Sequence, residues 1–469
     1  MSPLNSITER GKTSGLLLKI LFLSWPAIVQ EGLNVAVSYI DTAMVGALGA
    51  EASAAVGLSS TLVWLVSSIA GGFGIGILAL CAQADGSGDP LLIKKAGHQA
   101  FYLTLAVGIP MSLICLASAP FMPAWLGADV SIRHDASVYF AIISSACFFR
   151  TALIIFSSAL RGVSDMKTPM LINLYMNLIN IVLNFFLIYP TRSVSWFFGL
   201  TVPGAGLGVA GAATATAISL VFGGVLMFVF YCKNKHFDIR NGGIKYDGAV
   251  MKNSLKIGIP VVMSRSVLCL GYVAFSAIVT SLGVIPFAAH NIAIQAEQAF
   301  YIPGYGFQSA ASTLAGNAMG EGDAEKVKRV NRVICLITFG LMFVAGIVLF
   351  VFAEGLMGIF TPDSEVIKLG AAVLRIVSVS EPIYGVLVIL EGTFNGIGDT
   401  KAPFIYSVIT MWGIRICGSL LLISVFDLGL RSIWLLMIAD NIARCIMLLV
   451  RFGMGKWKKN IRRQKEAEA

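Results

Sequence analysis

Twelve apolar segments follow one another along this chain, and each is long enough to cross a lipid bilayer as a helix. Such a helix needs about 20 apolar residues to cross roughly 30 Å of hydrocarbon. Hydrophobic residues make up 57% of the 469 residues and charged residues only 13%, whereas a soluble domain is about 25% charged. We therefore predict an all-α integral membrane protein, with spans at residues 17–45, 52–83, 96–120, 137–160, 169–190, 205–232, 255–281, 287–318, 330–353, 366–394, 403–425 and 432–452.

The two halves of the chain are repeats of each other at an offset of 234 residues, as from Pro26 to Pro260. In this register, a Gly-x-x-Asp-x-Lys-x-Pro motif at 162–169 recurs at 396–403. Each repeat holds six predicted spans, an even number, so both repeats enter the membrane from the same side. We therefore predict two six-helix bundles related by a pseudo-two-fold axis along the membrane normal, with a central site between them, as in many transporters.

Lys and Arg are distributed unevenly between the loops. If both termini are cytoplasmic, the outside loops hold only Arg133, Arg192, Lys368 and Arg431, and the positive-inside rule favours that orientation in an inner or plasma membrane. The net charge of +9 fits anionic membrane lipids as partners rather than nucleic acid. The predicted organisation is an N-terminal bundle at 1–232, a cytoplasmic linker at 233–256, a C-terminal bundle at 257–452 and a basic cytoplasmic tail at 453–469.

Signatures of enzymes and cofactor sites are missing from the sequence. The eight cysteines occur singly, without a CxxC motif, which argues against a zinc site or a disulfide framework. The four histidines are scattered, and Walker, HExxH and GxSxG motifs are absent. We predict no enzyme activity, no cofactor, and no metal other than possible Na⁺ at a carboxylate discussed next.

Polar residues inside an apolar span are costly and usually functional, and the first span contains a row of them. Gln30, Asn34 and Asp41 share one helical face at spacings of four and seven residues. Because burial disfavours a charged carboxylate, Asp41 can exchange a proton near neutral pH, or it can bind a desolvated Na⁺. Pro26 invites a bend in the same helix. Alternatively, Asp41 lies solvated at the outer end of the span and starts a turn.

The fifth span carries four asparagines, Asn173, Asn177, Asn180 and Asn184, on one continuous helical face. Their amides can donate to an ionised Asp41 and can coordinate a cation. The alternative is that they only hold helices together, since interhelical asparagine hydrogen bonds are common in membranes.

The second repeat lacks this constellation, because Asp41 aligns with Phe275 and Asn180 with Ile414. It has its own polar residues, which line a cation-binding cavity in one interpretation: Gln295, Glu297, Gln298, Glu381 and Glu391. In the other interpretation its carboxylates neutralise buried cations at Arg265, Arg375 and Arg415. Asp440 and Arg444, four residues apart on the last span, are expected to neutralise each other.

Three segments resemble the multidrug and toxic compound extrusion (MATE) family. The stretch 41–57, which begins Asp-Thr-Ala-Met-Val-Gly, is similar to the family's first-helix signature; 289–307 is similar to its eighth-helix signature and 396–403 to its loop between helices ten and eleven. The resemblance covers nearly the entire chain. It implies twelve helices in two bundles around a V-shaped central cavity, and export of organic cations driven by H⁺ or Na⁺.

Within the family, the chain is closer to the DinF-like branch. The resemblance assigns Pro26 as the kinking proline, Asp41 as the protonated aspartate, and Asn180 and Thr216 as members of the same cation-coupling cluster. Where that branch usually has a second aspartate, this chain has Asn184, which we count together with Asn34 among the cation-coupling residues. The glutamate and aspartate of the NorM-like branch are missing, at Arg265 and near Tyr384. One carboxylate fewer favours H⁺ over Na⁺.

The predicted mechanism is antiport by alternating access, in which protonation of Asp41 bends the first helix at Pro26 and releases the cargo. Gln30, Asn177, Tyr39 and Met44 are expected to contact the cargo. One chain already contains both halves, so we expect a monomer. The alternative function is a flippase for a lipid-linked precursor, which would need a more basic cavity.

Overall fold

The computed structural model describes residues 3–194, 200–239, 243–426 and 428–459, without the side chains of 3–14 and 192–202. Most of the predicted tail, from residue 460 onward, lies outside the described residues, as does 240–242 in the predicted linker. Within the described part, each predicted span coincides with one helix or one broken helix. Backbone polar groups in lipid must be satisfied within the segment, and a helix does this with its own hydrogen bonds.

The helices of the first repeat are α1 (Pro3–Gly46), α2 (Ala50–Ser87), α3 (Pro90–Ser118), α4a (Val130–Ser145), α4b (Cys147–Gly162), α5 (Lys167–Leu187) and α6 (Gly208–Lys233). A single turn, Met122–Trp125, precedes α4a. The second repeat has α7 (Gly248–Thr280), α8a (Val284–Gln298), α8b (Ile302–Gly320), α9 (Ala324–Phe360), α10a (Ser364–Ser378), α10b (Glu381–Ile397), α11 (Lys401–Phe426) and α12 (Leu430–Gly453). A 3₁₀ turn, Ala299–Tyr301, joins α8a to α8b, and a π-helical stretch, Ile409–Cys417, lies within α11.

Among the described residues, nine helices are long and apolar enough to cross a membrane unbroken, and two bent pairs, α4a–α4b and α10a–α10b, raise the number to eleven. The twelfth predicted span is α8, whose 3₁₀ turn divides it into two shorter helices. Many large apolar side chains face outward, as Phe343, Val344 and Val351 do on α9. Exposed apolar surface of this extent fits contact with lipid tails. The prediction of a twelve-span, multi-pass membrane protein is therefore confirmed.

The repeat is visible in the backbone as well as in the sequence. The fourth span bends by 48° after Ser145 and the tenth by 58° after Ser378, close to the 234-residue offset. Ser164 and Gly398, also 234 residues apart, both have a positive φ, of 64° and 75°. That conformation is the left-handed region, in which glycine is unstrained and serine is not.

The structure differs from the all-α prediction in one place. The long loop between α5 and α6 forms an antiparallel hairpin of β1 (Pro190–Val194) and β2 (Leu200–Ala205). Each of the two strands contains one Val and one Thr, residues that favour strands. The strands are too short to carry a hydropathy signal that stands out beside the neighbouring spans.

By internal contacts, the chain divides into two compact units. Unit A comprises Met1–Glu31, Leu78–Asp89 and Leu255–Ala469, and unit B comprises Gly32–Ile77 and Pro90–Ser254. The core of unit B includes Val45, Tyr139, Ile143 and Val209. A large cluster in unit A surrounds Trp434 and Leu374. The domain boundaries expected from the sequence stay a prediction.

Candidate functional site

Unit B contains a cavity of about 260 Å³, bounded by side chains of α1, α2, α4a, α5 and α6. Its walls mix amide, hydroxyl and carboxylate groups with four small apolar residues. The lining residues are Asn34, Val37, Ser38, Asp41, Thr42, Val45, Val56, Ser60, Tyr139, Asn177, Asn184, Ala212 and Thr216.

A chain of side-chain hydrogen bonds begins at Asp41, the only carboxylate among these lining residues. Asn184 Nδ2 donates to Asp41 Oδ1 at 2.6 Å and to Asn180 Oδ1 at 3.2 Å. Asn180 Nδ2 in turn donates to Thr216 Oγ1 at 3.2 Å. The structure thus joins Asp41, Asn180, Asn184 and Thr216, four of the five residues predicted to couple cations; the fifth, Asn34, lines the same cavity. The short contact from Asn184 is typical of a hydrogen bond to a charged acceptor.

The asparagine row of α5 faces inward over its whole length. Asn173, Asn177, Asn180 and Asn184 are 6%, 7%, 5% and 1% exposed, as expected for residues at a helical spacing of three and four. Asn173 makes a different contact from the other three. Its Nδ2 donates to the backbone carbonyl of Pro169, one turn earlier in its own helix. Only the three later asparagines therefore belong to the site.

Two buried amide atoms at the cavity have no hydrogen-bond partner among the described residues: Asn184 Oδ1, an acceptor, and Asn177 Nδ2, a donor. An unsatisfied buried polar group costs about 1–3 kcal/mol, so such atoms are uncommon unless a ligand, an ion or water satisfies them. The walls therefore offer a free acceptor and a negative charge at Asn184 and Asp41, and a free donor at Asn177, two turns earlier on α5.

The remaining predicted residues of α1 lie in different surroundings. Asn34 lines the cavity about two helical turns before Asp41. Pro26 and Gln30 are buried in the part of α1 that belongs to unit A. Tyr39 and Met44 are half-buried and are not among the lining residues. Met44 packs against the apolar cluster of unit B, so its predicted contact with cargo has no support in this cavity.

Other lining residues were not expected from the sequence. Tyr139 of α4a and Ser60 and Val56 of α2 contribute to the walls, together with Ala212 of α6. A tyrosine or serine in an apolar span is too common to single out. A usable signal was the helical register of α2, which places Val56 and Ser60 four residues apart on one face.

The polar residues of the second repeat lie in unit A and form ion pairs that differ from those expected. Arg415 of α11 lies 2.8 Å from Asp440, and Arg444 lies 3.6 Å from Glu391. Asp440 and Arg444 therefore do not form the direct ion pair that was expected, although Asp440 still acts electrostatically on Arg444. Both residues are on α12, and each meets a partner from another helix. Arg375 was expected to be buried, but it is 40% exposed and pairs with Glu354.

Glu297, Gln295 and Gln298 lie together at the end of α8a but differ in exposure. Glu297 is 2% exposed and accepts a hydrogen bond from Tyr301 Oη. Gln295 is half-buried and Gln298 is exposed. No group of three or more His, Cys, Asp or Glu side chains suited to a metal occurs in the described part of the chain.

Comparison with known proteins gives consistent matches over nearly the whole chain. The family model MatE matches twice, at residues 26–186 and 260–421, and the two matches start 234 residues apart. The probable multidrug resistance protein NorM of Thermotoga maritima is 28% identical over 442 residues, which is 94% of this chain and 93% of that protein. The multidrug resistance protein NorM of Aliivibrio fischeri is 25% identical over 406 residues, 84% of each.

A crystal structure of MATE in complex with MaL6 has a similar fold. Its TM-score is 0.85 at 21% identity, and the match covers 95% of this chain and 97% of that one. At this identity the likeness shows the fold alone, which agrees with twelve spanning helices in two six-helix bundles.

Proposed function

Since this chain belongs to the MatE family, we propose that it is a cation-coupled antiporter that exports organic cations and drugs by alternating access. The names of the two NorM relatives, which refer to multidrug resistance, support drug export. The proposed location is the inner or plasma membrane, with both termini in the cytoplasm. The proposed active form is a monomer, because one chain contains both repeats.

The observation that carries the proposal is the position of Asp41 in the cavity of unit B. One carboxylate lies there among amides and hydroxyls, with small apolar residues in the same wall. A lipophilic cation fits such a surface, because its charge can be neutralised by Asp41 while its apolar part contacts Val37, Val45 and Val56. The ring of Tyr139 adds a face that attracts cations.

Coupling to protons follows from the amide of Asn184. When Asp41 is ionised, Asn184 Nδ2 donates to it. When Asp41 is protonated, its new O–H group is a donor and needs an acceptor. Rotation of the Asn184 amide by half a turn presents Oδ1, which has no other partner among the described residues. That rotation also takes Nδ2 away from Asn180 Oδ1, so the protonation of one carboxyl rearranges the chain of hydrogen bonds as far as Thr216.

The site contains few ligands for a sodium ion. Na⁺ would be held by oxygen atoms of Asp41, Asn180, Asn184 and Thr216, of which one group alone carries a charge. Hard cations in proteins are usually bound by several oxygens with more than one carboxylate among them. We therefore favour H⁺ and keep Na⁺ as the alternative coupling ion.

The conformational step is proposed for α1, which carries both Asp41 and Pro26. Proline removes one backbone hydrogen bond within the helix and lowers the resistance to bending there. Protonation of Asp41 removes its charge, α1 bends at Pro26, and the cation leaves the cavity. Deprotonation on the cytoplasmic side restores the charge and allows the next cation to bind.

A flippase for a lipid-linked precursor is the second candidate. Such a cargo carries phosphate groups and calls for arginine or lysine in the cavity wall. Neither residue type is among the lining residues of the unit B cavity, which supports the cation exporter instead.

Purified protein in liposomes tests these alternatives together. A pH gradient alone is expected to drive efflux of a cationic dye, and a sodium gradient alone is expected to drive little. Efflux that follows only the sodium gradient would replace H⁺ by Na⁺. Transfer of a lipid-linked sugar, with no movement of dye under either gradient, would replace the exporter by a flippase.

A further inference from the structure

Among the described residues, three acidic side chains of unit A are buried, and only one of them, Asp440, has a basic partner. Asp440 pairs with Arg415 at 2.8 Å, and Glu391 lies 3.6 Å from Arg444. Glu297 and Glu381 remain, at 2% and 1% exposed. In the described part of the chain, no basic side chain forms an ion pair with either glutamate.

Glu381 is the less satisfied of the two. Neither of its carboxyl oxygens has a hydrogen-bond partner among the described residues. It is the first residue of α10b, directly after the 58° break in the tenth span. A helix N-terminus favours a negative charge, but the effect is smaller than the desolvation of a fully buried carboxylate. The Glu381 carboxyl also accepts no bond from the backbone N–H groups of that first turn.

Glu297 is the acidic group that acts on Glu381. Tyr301, which donates to Glu297, packs on Tyr384 with ring centroids 4.5 Å apart. Tyr384 is a residue of the same first turn of α10b as Glu381, so the two carboxyls belong to one buried region. Like charges in a low-dielectric interior cannot both be ionised at small cost. Glu297 already has a donor, the Tyr301 hydroxyl, whereas Glu381 has none among the described residues.

In the part of the chain that the structure describes, the other groups around the pair supply no counter-charge that is free of another partner. Arg415 is the cation that acts on Glu297 from α11, but it is engaged by Asp440. From α9, the close neighbour of Glu381 is Gly346, which has no side chain to offer. A proton is the simplest ligand that removes the excess negative charge from this place.

We propose that Glu297 and Glu381 form a proton-binding site, separate from Asp41, in which the proton resides on Glu381. The pair holds one proton between two carboxyl groups, and Tyr301 directs it to Glu381 by donating to Glu297. A role of this proton in export rests on the proposed antiport function, but its binding does not. The antiporter then has one titrating site in each unit.

The first repeat shows whether the bend of the tenth span depends on the Glu381 side chain. The residue that aligns with Glu381 is Cys147, and the fourth span nevertheless bends by 48° just before it. The break therefore needs no acidic side chain at this position. We expect Glu381→Gln to fold, since glutamine keeps the shape of the side chain and removes only its titration.

Infrared difference spectroscopy of the purified protein in lipid tests the proposal without any transport measurement. At neutral pH, the wild-type protein is expected to show the carbonyl stretch of a buried protonated carboxylic acid, one that persists after exchange into heavy water with a small isotope shift. This band is expected to disappear in Glu381→Gln and to weaken in Glu297→Gln, because the repulsion that retains the proton is gone.

Glu354→Gln is the matched control, since Glu354 is 62% exposed and paired with Arg375; its spectrum is expected to keep the band. A band that is unchanged in both Glu381→Gln and Glu297→Gln would overturn the proposal. If Glu381→Gln does not fold, Glu297→Gln alone decides. Failure of the antiport function would instead appear as dye efflux that ignores a pH gradient, with the infrared band intact.

Discussion

The amide of Asn184 lies between two other side chains of the unit B cavity, 2.6 Å from Asp41 Oδ1 through its Nδ2 atom. The same Nδ2 atom reaches Asn180 at 3.2 Å. One amide therefore connects the only carboxylate of the cavity wall to the rest of the asparagine row. A change in the charge of Asp41 is therefore expected to alter the hydrogen bonds of this amide.

Replacing Asn184 by leucine tests that connection. Leucine has a similar volume but no hydrogen-bonding group, and a hydrogen bond to a charged group contributes about 1.5–3 kcal/mol. We expect pH-driven dye efflux to fall roughly 10- to 100-fold, as this free energy implies. Asn173→Leu is the matched control, because Asn173 donates to the Pro169 carbonyl and does not line the cavity. Equal loss of efflux in both variants would show that the defect is one of folding.

Replacing Asn184 by aspartate adds a second carboxylate beside Asp41. Two carboxylates with the Asn180 and Thr216 oxygens form a better site for a hard cation. We expect Asn184→Asp to gain efflux that is stimulated by a sodium gradient, measured in liposomes at constant pH. If the variant exports with a pH gradient but stays insensitive to sodium, the number of carboxylates at this site does not select the coupling ion.

The backbone at Ser164 is expected to be strained, as comparison with the equivalent glycine of the second repeat indicates. Its φ of 64° matches the 75° of Gly398 at the equivalent position. A non-glycine residue in the left-handed region costs roughly 1–2 kcal/mol. Ser164→Gly should therefore raise the free energy of unfolding by about 1 kcal/mol, and Gly398→Ser should lower it by a similar amount. Thermal unfolding in detergent measures both, and a Ser164→Gly protein that is less stable would contradict the strain.

Asp247 precedes α7 outside the membrane and caps it. Its Oδ1 accepts hydrogen bonds from the backbone N–H groups of Ala249 and Val250, at 3.1 Å and 3.2 Å. The bond from Val250, together with Lys95 at 3.1 Å, lowers the pKa of this carboxyl. A lowered pKa means that the stabilisation is present above the unfolded-state pKa and is lost as pH falls through the folded-state value.

Two substitutions distinguish the stability that Asp247 gives as a helix cap from the pH dependence that its carboxyl adds. Asp247→Ala should reduce stability by about 1 kcal/mol at neutral pH, as loss of an N-cap does. Asp247→Asn keeps a good cap that does not titrate, so its stability should change less than that of the wild type between neutral and acidic pH. Unfolding midpoints at several pH values provide the measurement. Equal acid sensitivity of the wild type and Asp247→Asn would assign the effect to other groups.

The helical spans and their polar faces could be predicted from the sequence, because hydropathy and helical spacing are properties of the chain itself. Long apolar segments identified the twelve spans, and the spacing of Asn180 and Asn184 put them on one face. That the same face meets Asp41 was expected from chemistry, since a buried acid needs donors.

The ion pairs of unit A could not be predicted in the same way. Asp440 and Arg444 are four residues apart, a spacing that makes two side chains neighbours on an exposed helix. In the interior, Asp440 instead forms an ion pair with Arg415 of α11, and Arg444 forms one with Glu391 of α10b. Which helix supplies the partner depends on tertiary packing, and the same holds for Tyr139 in the cavity wall.

We propose that gain and loss of a proton at Asp41 drives export. The most direct measurement is dye efflux from liposomes that contain Asp41→Asn, compared with wild-type protein under the same imposed pH gradient and with equal reconstitution. Asparagine keeps the shape and can still accept from Asn184, but it does not titrate. We predict that gradient-driven efflux falls to the level of protein-free liposomes; efflux at the wild-type rate would show that titration of Asp41 does not drive export.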